Sequence, residues 1–440
     1  MMDGLSADAQ EEQGRDVDDG IFHGYLSIIH HTFPLLPAVK SRLQEQLGQC
    51  SLLLREAFIE ALNATMKSFA VPNAEGDSRA ANRLLGDWEA ETAERSTVSD
   101  LIHLQTLILM IIEADNHGPA SLKGQHPGPS KSSLIGRAVG VAYSLSLQRS
   151  HIDSSIDVQP ELDTDHVLGI RAWWILVIID RWNAIGTADP MMIPNDTVTL
   201  SAGLKLVFGE AIYRFIMLSY IIGHWLPASL TAPESLGPGS GAAASAAFNV
   251  NMEMWRADFP PDITPADFPV VHLAYWHCRL LAYLFMPSAL ATDIVWASKE
   301  LVRLLVENPS LLSPLSHHFT CLASLSLLEL TKVEKTREEA TQLLKQILES
   351  HIAPSSWDSS IRDKIAETVR PSTSSGAEVQ GLQHLADLAA ATEVSTGAAP
   401  EIKTDDVPKF RTSDTYDDLG FDPRPMLRAG YLNALNLSTS

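Results

Sequence analysis

Three aspartates near the C-terminal end are the first residues whose spacing could support chemistry. Asp414, Asp417 and Asp418 form an Asp-x-x-Asp-Asp motif. Carboxylates in such an arrangement can hold Mg²⁺ against a diphosphate when they face into a cavity. Here they lie in a polar stretch, and no second metal motif accompanies them. A solvated acidic segment is therefore the favoured interpretation, with magnesium-dependent diphosphate chemistry as the alternative.

Histidines and cysteines could bind a metal in three places, but their spacing is unsuited to it. Spacings of five and one along a helix do not bring side chains to a common face, and adjacent side chains diverge. We therefore expect core or partly exposed residues and no metal site. No His-Glu-x-x-His or Gly-x-Ser-x-Gly motif occurs, so we expect no catalytic residue and no enzyme. The groups concerned are His272, His277 and Cys278, the pair His30 and His31, and the pair His317 and His318.

The composition restricts the class of protein further. The 440 residues are 45% hydrophobic and 20% charged, as in a globular protein with a sizeable core. A net charge of −22 argues against a chain that coats nucleic acid, which requires a basic surface. Three scattered cysteines exclude a disulfide framework. The acidic start is no signal peptide, and Lys205, Glu210 and Arg214 make 204–226 a core helix rather than a membrane span. We expect a soluble intracellular protein.

The spacing of apolar residues predicts an all-α fold. Apolar positions recur at intervals of three and four, and few stretches alternate with period two. We expect one large bundle-like domain over 20–369, after a disordered acidic leader over 1–19 and before a disordered linker and acidic-hydrophobic tail over 370–440. The predicted helices cover roughly 47–69, 97–115, 132–149, 164–185, 204–226, 242–256, 269–286, 290–307, 314–331 and 335–351.

The segment RAWWILVIIDR, residues 171–181, is predicted to lie at the centre of the bundle because it is apolar nearly all round. In the preceding helix, Gly136, Gly140 and Ser144 form a small-residue stripe that would let another helix approach closely. A central helix rarely ends in unpaired charges. We therefore expect Asp180 to meet an arginine of a neighbouring helix, with Arg137 and Arg149 as candidates, and Arg171 to cap or pair near the helix entry.

These two segments together resemble the middle homology region of the fungal zinc-cluster transcription factors. That family has a Gly-containing helix ending in Leu-Gly-Leu-His-Arg, then Arg-Arg-x-Trp-Trp, an apolar run, Asp-Arg, a Gly-Arg-Pro turn and Ile-Pro. The matching residues are Gly136, Leu145, Leu147, Arg149, Arg171, Trp173, Trp174, Asp180, Arg181, Pro190, Ile193 and Pro194. Segments 25–37, 255–263 and 273–287 also resemble the family, whereas Ser146, Gln148, Ile170, Ala188 and Asp189 depart from its pattern.

The resemblance implies a nuclear regulator of RNA polymerase II transcription, with a regulatory domain that senses a signal. Family members bind DNA through six cysteines that hold two zinc ions, and no cysteine precedes Cys50 here. We therefore expect no cofactor in this chain, and DNA binding only through a zinc cluster upstream or on a partner. A small-molecule inducer, the transcription machinery and a second copy of the chain are the candidate partners; a membrane is not. An all-α isoprenoid-synthase-like enzyme is the alternative.

Residues 412–438 alternate acidic and apolar side chains, a composition found in disordered activation segments. In such a segment the charges keep apolar anchors exposed for a coactivator groove. A plain solvated tail is the other interpretation. The candidate anchors are Tyr416, Leu419, Phe421, Met426, Leu427 and Tyr431.

Overall fold

The computed structural model describes residues 15–92, 94–122, 124, 128–150, 161–225, 238–352, 355–369 and 416–435. Within these ranges the regular secondary structure is helical, without a strand, which confirms the predicted all-α fold. Residues 1–14 of the predicted leader over 1–19 and the linker over 370–415 lie outside the described residues. The last part of that leader is described and packs against the helical body, since Arg15 pairs with Glu56 and Glu60 and Val17 is buried.

Most of the ten predicted helices have a counterpart near the predicted positions, because apolar periodicity is a strong signal for long amphipathic segments. The helices are α1 Asp19–Ile28, α2 Lys40–Gly48, α3 Leu52–Ser68, α4 Ser78–Glu89, α5 Thr97–Asn116, α6 Pro119–Leu122, α7 Lys131–Ser144, α8 Asp165–Thr187, α9 Leu204–Trp225, α10 Pro238–Ala257, α11 Pro269–Phe285, α12 Ala291–Glu307, α13 Ser316–Leu330, α14 Arg337–Glu349, α15 Ser356–Val369, α16 Arg424–Ala429 and α17 Tyr431–Ala434. Seven further helices in the described ranges, α1, α2, α4, α6, α15, α16 and α17, were not predicted.

Two of the predicted helices are interrupted. The pattern over 47–69 splits because Ser51 caps α3, where its side chain accepts a hydrogen bond from the backbone N–H of Leu54. The helix over 204–226 is broken at Gly209, whose φ of 73° and ψ of 168° lie outside the helical region. That conformation is open essentially to glycine alone. The first turn of α9 therefore points in a different direction from the rest.

Helix α8 lies at the centre of the fold, against α5, α7, α9 and α17. Thr164 caps its first turn by accepting from the N–H of Val167. Nearly every residue from Val167 to Thr187 is buried, and Trp173 and Trp174 are each 3% exposed. This confirms that RAWWILVIIDR is a core element. A helix buried on every face has no amphipathic pattern, so only its composition indicates its position.

Helix α7 differs from the prediction in two respects. It ends at Ser144 rather than Arg149, and a short 3₁₀ turn over Leu147–Arg149 follows. Gly136, Gly140 and Ser144 are exposed, so the predicted close helix contact along this stripe is wrong. The helix instead buries its opposite face, including Leu134 and Ala138. Tyr143 is the residue of α7 whose ring contacts Trp173, with ring centroids 5.9 Å apart.

Two helices, Thr97–Asn116 and Leu204–Trp225, are long and apolar enough to cross a membrane by length and composition. Both are mostly buried inside the helical body. α5 packs between α3 and α7, and α9 packs against α8, α10 and α11. Burial of this kind is the reason that core helices pass the same test as membrane spans, so we interpret both as core helices.

The C-terminal residues 416–435 pack against the helical body, which corrects the expectation of disorder for this part of the tail. Leu419, Leu427, Tyr431 and Leu432 are buried in the same core cluster that contains α8. Tyr416, Phe421 and Met426 are partly buried against it. The predicted apolar anchors are thus covered rather than presented to solvent, because the helical body offers them an apolar surface. A coactivator contact through the tail stays a prediction.

Candidate functional site

Asp180 and Arg181 lie in the C-terminal part of α8 and hold the turn over 188–195 in place. Asp180 accepts hydrogen bonds from the backbone N–H groups of Met192 at 2.9 Å and Ile193 at 3.1 Å. Arg181 donates to the Asp180 carboxylate at 2.8 Å and to the backbone oxygen of Ile193 at 2.7 Å. The side chains are 3% and 1% exposed, so each charge depends on the other and on these backbone groups.

Arg181 extends this arrangement to α9. Its Nη2 donates to the side-chain oxygen of Asn195 at 2.9 Å, and Asn195 donates in turn to the backbone oxygen of Gly223 at 2.8 Å. Burial lowers the pKa of Arg181, and the Asp180 carboxylate opposes that effect. The arrangement ties α8, the turn over 188–195 and α9 together, which is a structural task.

The partner predicted for Asp180 is wrong: it is the next residue in the chain rather than an arginine of a neighbouring helix. Arg137 instead binds Asn82 and Glu89, and Arg149 is exposed. The side chains of adjacent residues on a helix diverge near the backbone, but the arginine side chain is long enough to bend back, so that its guanidinium reaches the carboxylate of Asp180.

The other motif residues differ in how far they are buried. Leu147 is buried, Leu145 half-buried, and the turn residues Pro190 and Pro194 are exposed. Pro194 precedes the 3₁₀ turn over Asn195–Thr197. Leu145 and Leu147 lie in the connection from α7 to α8, and Pro190 and Pro194 lie in the connection from α8 to α9, so these residues do not converge on one site.

A cavity of about 910 Å³ lies beside the N-terminal part of α8. The turn after α1, the broken start of α9, the 258–268 loop, the start of α11 and the loop before α13 all contribute to its wall. Its volume lies in the range of pockets that enclose small organic ligands. Phe208, Phe215, Ile263 and Val271 are buried apolar residues of this wall. We call this space the α8–α9 cavity.

Arg171 is the motif residue that lines the α8–α9 cavity, and it is 4% exposed. Its Nη2 donates a long hydrogen bond of 3.4 Å to the backbone oxygen of Val207. Its Nη1 lies 3.5 Å from the carboxylate of Asp163. Arg171 therefore pairs near the helix entry as predicted, but it does so loosely and beside a cavity.

His30 lies on the same wall, next to the buried Tyr25. Burial, and then the positive charge of Arg171, lower the pKa of His30 to about 4. His30 is therefore neutral near pH 7. Tyr25 anchors the turn, since its hydroxyl donates to the backbone oxygen of Phe33 and accepts from the N–H of Leu36.

A second cluster lies deep in the core, where α5 meets α13. Asp115, His317 and His318 are buried, and one ligand atom of each lies within 4.8 Å of the others. Spacing along one helix could not reveal this group, because Asp115 comes from a distant part of the chain. Lys131 donates to the Asp115 carboxylate at 2.7 Å and already supplies a positive charge beside the two imidazoles. We interpret the cluster as a buried ion pair flanked by neutral histidines.

The remaining predicted ligands are dispersed. His277 and Cys278 are buried, while His272 is half-buried and bonds the backbone oxygen of Ile263. Asp417 and Asp418 are exposed, and Asp414 lies outside the described residues. Magnesium-dependent diphosphate chemistry requires aspartates that face into a cavity. In the described part of the chain, Asp417 and Asp418 face solvent and do not form such an arrangement.

The α8–α9 cavity was not predicted from the sequence, because its wall combines five separated segments. The sequence contains two weak indications of the cavity. Gly209 interrupts an apolar run, and Arg171 begins a segment that is otherwise apolar as far as Ile179.

Comparison with known proteins finds a relative that is named as a transcriptional regulatory protein. The chain is 27% identical over 348 residues to an uncharacterized transcriptional regulatory protein of the fission yeast Schizosaccharomyces pombe. The alignment covers 76% of this chain and 38% of that protein, so the chain spans less than two fifths of the relative's length. No protein-family model and no solved structure matches the chain.

Proposed function

We propose that this chain is the regulatory part of a nuclear transcription regulator of the fungal zinc-cluster type, acting with RNA polymerase II. The similarity to a fission-yeast protein named as a transcriptional regulatory protein carries this proposal, since it extends over about three quarters of the chain. The motif residues of α7 and α8 support the finer assignment to the zinc-cluster type. DNA binding would come from a cysteine cluster in a longer form of the protein or on a partner.

The regulatory role that we propose is the sensing of a small molecule in the α8–α9 cavity. The cavity lies between the central helix and the broken start of α9. A ligand there would contact both helices and the turn after α1. Binding would favour one arrangement of these elements over another, which is how a ligand shifts a conformational equilibrium.

A reporter assay tests the transcriptional part of this proposal. The full chain is fused to an unrelated DNA-binding domain, and transcription from a reporter with the matching DNA site is measured. We expect a change of several-fold, in either direction, relative to the DNA-binding domain alone. A fusion carrying Gly86→Ala, an exposed helix position with open space around it, is the matched control and should behave like the wild type.

A fusion that is folded and nuclear but leaves the reporter unchanged would contradict the proposal. The enzymatic alternative has its own assay, the release of pyrophosphate from a prenyl diphosphate in the presence of Mg²⁺. We expect no release above the rate without protein. Turnover that depends on both the protein and Mg²⁺ would favour the isoprenoid-synthase-like alternative instead.

A further inference from the structure

Arg171 lines the α8–α9 cavity, and some of its N–H donors have no hydrogen-bond partner in the described part of the chain. A guanidinium carries five N–H donors in a fixed planar arrangement. The Nε and Nη1 groups of Arg171 are buried and form no hydrogen bond with the described part of the chain. Unsatisfied buried donors and unpaired buried charges both carry a free-energy cost, so native structures rarely retain them without a reason. A ligand that accepts these hydrogen bonds would remove that cost.

The carboxylate nearest to Arg171 is a weak partner. Asp163 lies 3.5 Å from Nη1 without accepting a hydrogen bond, and its side chain is 21% exposed. Both of its oxygens also lie within 3.4 Å of the backbone N–H of Ala38. Burial lowers the pKa of Arg171, but a guanidinium is so strongly basic that it stays protonated at neutral pH. Its charge is therefore only partly balanced by the protein.

The other charged groups around the cavity are paired elsewhere or exposed. Glu210 binds Lys205 at 3.1 Å and Arg214 at 2.7 Å, and these three form their own cluster. Asp267 accepts from the hydroxyl of Thr264 at 2.6 Å, and Asp262 is exposed. The cavity wall consequently combines the buried cation of Arg171 with buried apolar side chains, while Asp262 and Asp267 are exposed.

We propose that the α8–α9 cavity binds a small organic carboxylate with an apolar body, and that Arg171 holds the carboxylate. This rests on the proposed function, in which the cavity is the sensor. The two oxygens of a carboxylate match two parallel N–H groups of a guanidinium, a geometry that lysine cannot reproduce. The apolar body lies against Phe208, Phe215 and Val271. A single guanidinium beside a neutral His30 suits one negative charge rather than the two of a phosphate monoester.

Matched probe pairs test the ligand class on the purified full chain. The probes are 4-phenylbutyrate, its neutral amide and 4-phenylbutyl phosphate, which share one apolar body and differ in the polar group. Binding is measured by calorimetry at pH 7. We expect the carboxylate to bind at least ten-fold more tightly than the amide and the phosphate. In Arg171→Met this preference over the amide should disappear. Arg256→Met, at an exposed arginine, is the control and should keep it.

The outcomes separate the ligand class from the proposed function. Equal binding of carboxylate and amide to the wild type, tighter binding of the phosphate, or no binding of the carboxylate at millimolar concentration would overturn the inference. The reporter assay stands apart from these results. Should Arg171→Met fail to fold, Arg171→Lys provides the second variant, with the charge retained and the two-pronged geometry lost. A preference that survives unchanged in Arg171→Lys would also overturn the assignment.

Discussion

Arg181 passes directly over Gly223, the residue of α9 that leaves room for it. A Cβ atom at Gly223 would lie 2.3 Å from both Cδ and Nε of Arg181, closer than atoms can approach. Gly223 also accepts, through its backbone oxygen, the hydrogen bond from Asn195 that continues the Arg181 network. The absence of a side chain at Gly223 therefore allows α9 to approach Arg181 of α8 this closely.

Gly223→Ala should displace Arg181 and lower the free energy of unfolding by about 1–3 kcal/mol, the usual cost of overpacking a tight core. Chemical denaturation measures the change. Gly86→Ala is the matched control, since no atom lies within 4 Å of the added methyl group and alanine favours a helix. If Gly223→Ala were as stable as Gly86→Ala, the close approach of Arg181 would be wrong.

Asp180→Ala should destabilise the protein by about 3–5 kcal/mol, because it leaves Arg181 as a buried charge without its carboxylate. The backbone N–H groups of Met192 and Ile193 would lose their acceptor as well. The exposed Asp196, in the same connection, supplies the control Asp196→Ala, which should unfold like the wild type. A melting temperature for Asp180→Ala equal to that of the control would contradict the structural role.

Lowering the pH from about 6.5 to 4 should decrease the free energy of unfolding. Burial lowers the pKa of His277 to about 3 and that of His317 to about 4, so in the folded protein both take up a proton only near or below the lower end of this pH range. In the unfolded chain a histidine takes up its proton near pH 6.5. The unfolded state then binds more protons, and each such histidine contributes up to about 1.4 kcal/mol per pH unit in this window.

Denaturation at several pH values provides the measurement for the histidines. Replacing His317 by Asn should make the pH dependence shallower, whereas His23→Asn, at an exposed histidine, should leave it unchanged. A slope that is the same in wild type and His317→Asn would show that His317 is not held neutral by burial.

Tyr431→Phe should weaken the attachment of the C-terminal segment. The Tyr431 hydroxyl lies 2.6 Å from Nδ1 of His318 and 3.2 Å from Nε2 of His277, all of them buried. Its loss leaves buried imidazole nitrogens without this partner, at a cost of about 1–3 kcal/mol. Protease cleavage within 416–435 should become faster. The control is Tyr143→Phe, whose hydroxyl makes only a marginal 3.5 Å contact with Thr197. Equal cleavage rates in the two variants would refute this role.

The local sequence was sufficient to predict ten of the helices and the central position of α8. Apolar periodicity acts within a few residues, so the run from Trp173 to Ile179 could be interpreted without knowing its neighbours, whereas the helix start at Ser51 was missed inside a longer apolar pattern. The same run predicted correctly that both tryptophans are buried. The resemblance to the zinc-cluster factors also depends on local segments, and it agrees with the name of the fission-yeast relative at the coarser level of a transcriptional regulator.

Only the tertiary structure decided which groups meet. Asp180 pairs with Arg181, and the turn over 188–195 folds back onto α8 and supplies two N–H donors to the same carboxylate. The spacing of residues along a helix does not predict these contacts. Arg171 faces a cavity because Gly209 turns the start of α9 away from the remainder of that helix. Tyr431 is buried because the core leaves a place for it between His277 and His318, more than a hundred residues away. Contacts between distant segments depend on how helices pack, and helix packing depends on the whole set of side chains.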